Sequence, residues 1–163
     1  MSDLVIAVFR STLAARAAGA LLAAMQDKAE VEAEDIVVAS RGLEGQVVLD
    51  HSMRMATGQP LGGGRWGMVI GMLFLMGERG RPAAVERAGL DPKFLRDVAT
   101  ALDDERAALG LRVRKLGIDR VVEVLGAQAR PLQVIRTPMS AAAEAALFAL
   151  QADLPDLPRP AGI

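Results

Sequence analysis

Residues Asp3–Phe9 (DLVIAVF), Ser11–Lys28 (STLAARAAGALLAAMQDK) and Asp35–Ser40 (DIVVAS) decide the fold. The first run is short, β-branched and apolar without alternation, the pattern of a strand buried on both faces or nearly so. Ser11 stands where a helix N-cap belongs. Behind it, Leu13, Ala17, Ala20, Leu21, Ala24 and Met25 recur at helical spacing and predict the core-facing stripe. A second strand-helix-strand unit follows later in Ala107–Leu116, Gly117–Ala127 and Leu132–Arg136. Two such units predict an α+β fold: a ferredoxin-like split βαβ antiparallel sheet with both crossover helices on one face.

Between the units, the glycines of Arg41–Gly45 turn the chain into Gln46–Asp50 (QVVLD), which adds a hairpin strand. Residues 51–105 are then a helical insertion within a single domain spanning 1–150, and 151–163 is a Pro-rich tail. Leu90-Asp91-Pro92 reads as a helix start, with Asp91 as N-cap, Pro92 at the first helical position and Leu90 stapled to Leu95. Phe94, Val98, Ala101 and Leu102 form its apolar stripe. In Ala107–Leu116, Leu109, Leu111 and Val113 alternate with Gly110, Arg112 and Arg114, which predicts one wet face. Val121, Val122, Val124 and Leu125 are the core side of the second crossover helix. Thr137-Pro138 is expected to open the last helix.

Composition narrows the chemistry. The 163 residues carry 19 Lys+Arg and 20 Asp+Glu, a net charge of -1, and 52% are hydrophobic. That suffices for a core and excludes general disorder. The absence of Cys removes disulfides, thiol catalysis and thiolate metal sites. With His51 the single His, a multi-histidine metal site is excluded within one chain; no metal or cofactor is expected. Near-neutral charge and 3% aromatics argue against nucleic acid as a partner. The N-terminal residues lack the basic start and cleavage site of a secretory signal, which predicts a cytoplasmic location, with membrane association as the alternative.

The most hydrophobic stretch is Trp66–Gly77 (WGMVIGMLFLMG). Twelve uncharged helical residues rise about 18 Å, short of the ~30 Å hydrocarbon thickness. Gly63, Gly67 and Gly71 lie four apart and leave a groove that admits close approach of another helix. A helix apolar all round must be buried, and the core of one chain is expected to cover only part of it. This motivates a homo-oligomer whose interface is Gly63, Trp66, Gly67, Ile70, Gly71 and Phe74. The alternative is that the helix lies across the sheet and is covered by Leu90–Leu102.

The order of segments also resembles a family. The strand Leu4–Val8 and the hairpin ending Gln46–His51 lead to a glycine run and Arg65-Trp66-Gly67-Met-Val-Ile-Gly71-Met-Leu-Phe74. Gly89-Leu-Asp-Pro-Lys-Phe-Leu and the strand Ala107–Lys115 follow. This chain is similar to domain-of-unknown-function family 1269 over roughly Leu4–Leu150, most specifically in its Trp-Gly-x-x-Ile-Gly-x-x-Phe core. The resemblance implies a ferredoxin-like domain interrupted by a glycine-zipper hairpin in bacterial proteins described as membrane proteins, with no known activity. Where the second zipper helix is expected, this chain has Glu78, Arg79, Gly80, Arg81, Pro82, Glu86 and Arg87. Such charges cost about 2.5–3.5 kcal/mol each at the centre of a membrane helix.

The remaining polar features carry ordinary readings. His51 and Arg65 are the candidate anion or ligand contacts: His51 beside Asp50, Arg65 behind Gly62–Gly64 at a helix start. A surface or interface His, and a flexible hinge or close packing at the glycines, are the favoured readings. Asp103-Asp104-Glu105 is read as a solvated run that ends its helix early or engages Arg106. No catalytic residue is assigned. The favoured function is a non-enzymatic, self-assembling structural protein. A membrane-associated oligomer and a small-ligand binding protein or enzyme, with a pocket between sheet and inserted helices, are the alternatives.

Overall fold

The computed structural model describes residues 2–27, 33–50, 65–78, 82–114 and 117–152. The chain order is β1 (Ser2–Phe9), α1 (Thr12–Asp27), β2 (Ala33–Arg41), β3 (Val47–Asp50), α2 (Arg65–Glu78), α3 (Pro82–Arg87) and α4 (Pro92–Thr100). Then come β4 (Ala107–Arg114), α5 (Ile118–Val124), β5 (Gln133–Met139) and α6 (Ala141–Ala152). The strands form one antiparallel sheet in the order β3-β2-β4-β1-β5. Without β3, the order β2-β4-β1-β5 is that of two split βαβ units, as the sequence predicts.

The sheet is covered on both sides. One core cluster joins Val5, Ala7, Phe9, Val38, Leu109 and Leu111 to α1 and α5. The other joins Leu4, Ile6, Val8, Val37, Ala39 and Ala108 to α2, α4 and α6. The crossover helices therefore share one face, and the insertion together with α6 roofs the other. β1 lies between β4 and β5 and is buried along its whole length. Its unbroken apolar run has this cause: residues of both parities face a helical layer.

Several local expectations hold. Ser11 caps α1, its Oγ accepting from the Ala14 N–H at 3.1 Å. Asp91 caps α4 by accepting from the Lys93 N–H at 2.9 Å, with Pro92 in the first turn. Gly45 closes the β2–β3 turn at φ +82°, a conformation that favours glycine. α4 ends at Thr100, and Arg106 Nε donates to the Asp103 carbonyl at 2.9 Å.

Others are corrected. α1 is rotated from the predicted phase: Ala15, Ala18, Leu22, Ala23 and Met25 are buried, whereas Leu13 is 77% exposed and Ala17, Ala20 and Ala24 face solvent. Alanine on every side gives the helix no unique apolar stripe. Arg16 Nε pairs with Asp50 Oδ2 of β3 at 2.9 Å, an orientation that the observed phase permits. β4 has no fully wet face: Gly110 is buried and the Arg112 side chain is only 15% exposed, because α2 lies over the face expected to meet water. β5 runs on through Thr137 and Pro138 to Met139, and α6 starts instead behind Ser140, whose Oγ accepts from the Ala143 N–H. Proline is tolerated there because β5 is an edge strand, with one row of ladder positions unpaired. α5 ends in a wider turn in which Arg130 N–H reaches the Leu125 carbonyl at 2.9 Å.

The largest correction concerns α2. Val69, Ile70 and Met72 are fully buried, and Trp66, Leu73, Phe74 and Leu75 are nearly so. Gly67 and Gly71 are buried as well. α2 packs on β2, β3 and β4 below and on α3, α4 and α6 beside it, all from the same chain. Among the described side chains of α2 only Met68 is partly exposed, so one chain covers more of this helix than expected, in line with the alternative placing it under Leu90–Leu102. The sequence reading had the last helix but not its placement on α2, where it adds to the cover. Val69, Ile70, Met72, Leu73 and Phe74 each contribute about 1.5–3 kcal/mol of gross burial, so α2 is integral to the fold.

Candidate functional site

Gly71 of α2 serves this internal packing. A Cβ on Gly71 would lie 2.6 Å from Leu49 Cδ1, so the notch is filled by a β3 side chain. A Cβ on Gly110 of β4 would meet Ile70 Cγ2 at 2.6 Å and Ile6 Cδ1 at 3.0 Å. One glycine on the helix and one on the sheet therefore let the two layers approach closely.

The N-terminus of α2 is held by polar groups from three strands and α6. In β2, the register against β4 shifts between Glu34 and Val37, and Asp35 there takes φ +53°. From that left-handed position Asp35 Oδ2 accepts from the Trp66 N–H at 2.8 Å. It thus satisfies one of the orphan donors of the first helical turn from outside the helix. The Trp66 ring packs on Phe148 of α6 with centroids 4.6 Å apart and planes at 55°. The Arg112 guanidinium lies 5.0 Å from the Trp66 ring centroid, in cation–π range. Arg112 also pairs with Glu144 at 3.3 Å, and the two side chains are 15% and 18% exposed. The Ser2 hydroxyl donates to the same Glu144 carboxylate. This cluster ties β1, β4, α2 and α6 together at one end of the sheet.

Asp35 is a cap in a strained conformation, and its replacement separates the two effects. Asp35→Ala is expected to lose about 1 kcal/mol for the cap and a further ~1 kcal/mol for a left-handed alanine. Asp35→Asn keeps an acceptor and tolerates the conformation, and is expected to stay within about 0.5 kcal/mol of wild type. Urea unfolding midpoints of both variants check this; equal midpoints would remove the cap.

At the opposite end, the β2–β3 turn, the first turn of α1 and the α4–β4 loop enclose an open cleft of about 910 Å³. Arg41 reaches across it, donating to the Gly45 carbonyl at 2.9 Å and pairing with Asp103 at 3.5 Å. Arg106 pairs with Asp104 at 3.3 Å. Asp104 and Glu105 both have positive φ, at 58° and 62°. The acidic run is exposed at Asp104 and Glu105, as the sequence reading has it, and forms a tight turn braced by two arginines. Among the described residues, no group of three or more His, Asp or Glu side chains is placed to hold a metal.

The sequence-predicted site residues fall as follows. Trp66, Gly67, Ile70, Gly71 and Phe74 come together inside the protomer, against its own sheet and helices. His51, Gly63 and the side chain of Arg65 lie outside the described residues. The Arg112–Glu144 pair and the Asp35 cap were missed. Arg112 sits in an alternating strand pattern that reads as solvent-facing, and Asp35 opens a strand with nothing to mark a bulge. The cleft at Arg41 and Arg106 was missed too; its only trace in the sequence is the acidic run followed by Arg106.

The fold and the cluster define a class: an α+β domain on a split βαβ sheet whose second face is closed by an inserted helical layer. The chain belongs to the DUF1269 family, proteins of unknown function, whose model matches residues 60–151. The match takes in the inserted layer, the second βαβ unit and α6, and leaves β1, α1, β2 and β3 outside it. No curated protein and no solved structure gives a significant match. No helix among the described residues is long and apolar enough to cross a membrane.

Proposed function

We propose that the protein is a non-enzymatic, self-associating module whose copies meet on the outer face of α1. One observation carries this reading: Leu13 is 77% exposed and continues into exposed Ala17, Ala20 and Ala24, an apolar stripe left open to solvent among the described residues. The burial of Trp66, Gly67, Ile70, Gly71 and Phe74 of α2 within the protomer supports a contact on α1 in place of the one expected on α2. Small side chains let a second helix approach closely, and a net charge of -1 offers little repulsion between copies.

The size of the face sets the strength. A helix of 16 residues is about 24 Å long, and a strip about 10 Å wide covers roughly 240 Å² per copy. A standard interface uses about 800 Å² per partner. The contact is therefore weak and concentration-dependent. Sedimentation equilibrium of detergent-free protein tests it. Wild type is expected to shift from monomer towards dimer as its concentration is raised into the high micromolar range. Leu13→Glu, at an exposed position, is expected to keep the fold and abolish the shift. A wild-type protein monomeric throughout, or a Leu13→Glu variant that still associates, would overturn the reading.

A further inference from the structure

We draw no further inference here: the strongest candidate, the open cleft between the β2–β3 turn and the α4–β4 loop, where Arg41 and Arg106 meet Asp103, Asp104 and Glu105 beside the N-terminus of α1, carries nothing, because both guanidiniums are engaged by carboxylates and backbone carbonyls of the cleft itself and what is left is a helix end and an acidic run with no second observation to say which ligand they would take.

Discussion

Glu144→Ala is expected to destabilise the folded chain by about 3 kcal/mol, because it removes the Glu144 carboxylate from the mostly buried Arg112 guanidinium. Glu144 joins two contacts. It takes the Arg112 guanidinium of β4 at 3.3 Å and the Ser2 hydroxyl of β1. Its loss should therefore loosen α6 from the sheet and release the guanidinium held over Trp66. For a domain of this size, a loss of about 3 kcal/mol lowers the melting temperature by roughly 6–12 °C. The pair as such need not stabilise the fold, since a buried ion pair is often no better than apolar residues of similar volume. The double variant Arg112→Met/Glu144→Leu is accordingly expected to recover most of the loss. Thermal and urea unfolding of both variants decide the matter. A Glu144→Ala protein within about 0.5 kcal/mol of wild type would show that the cluster does not hold α6.

Gly110→Ala is the second large effect, expected at about 1–3 kcal/mol, with Gly110→Leu beyond that range or unable to fold. The added Cβ on Gly110 would be caught between Ile70 and Ile6. Both are fully buried, and the nearer atom is a stiff β-branched methyl, so neither side chain has room to yield. Gly71 makes the contrast. There the nearest atom is Leu49 Cδ1, the far end of a flexible side chain that is only partly buried. Alanine at position 71 also gains about 1 kcal/mol of helix propensity over glycine. Gly71→Ala is therefore expected to be near neutral while Gly110→Ala is costly. Pairing Gly110→Ala with Ile70→Ala should cost less than the sum of the separate losses, by about 1 kcal/mol or more, since the residues share one contact. Strict additivity in urea unfolding would mean that the close approach of α2 to β4 is not what the glycine serves.

The parts of the fold that could be read from the sequence are those fixed by local chemistry. The unbroken apolar run of β1, the Ser11 and Asp91 caps and the glycines of the hairpin turn each have one physical solution. The split βαβ order follows from their succession. What the sequence hides is decided by partners distant along the chain. The phase of α1 is hidden because alanine makes opposite faces alike. The buried setting of Arg112 is hidden because its carboxylate lies 32 residues away on α6. The cover of α2 is hidden for the same reason: α4 is visible as an amphipathic helix, whereas the exposed and buried sides of the alanine-rich α6 read alike. A glycine spacing that suggests helix-to-helix contact is equally suited to a helix lying on a sheet, and here Leu49 and Gly110 show that it does.

These corrections change where a partner is to be sought. With α2 packed against its own chain, the second face of the sheet is covered, and among the described residues the exposed large apolar groups are Leu13, Leu43, Val48 and Leu132. Of these, Leu13 alone continues into a helical stripe, which is why the self-association reading rests there.

Trp66 is the single Trp of the chain and lies at the N-terminus of α2, 6% exposed between Phe148 and Arg112. Its fluorescence reports directly whether one protomer encloses this helix. Emission and acrylamide quenching are to be measured at a dilution where sedimentation shows only monomer, without detergent. A blue-shifted, poorly quenched emission that does not change as the protein is concentrated is the expected result. A red-shifted, readily quenched Trp66 in the monomer, protected only on association or on adding lipid, would contradict the enclosure of α2 by its own chain.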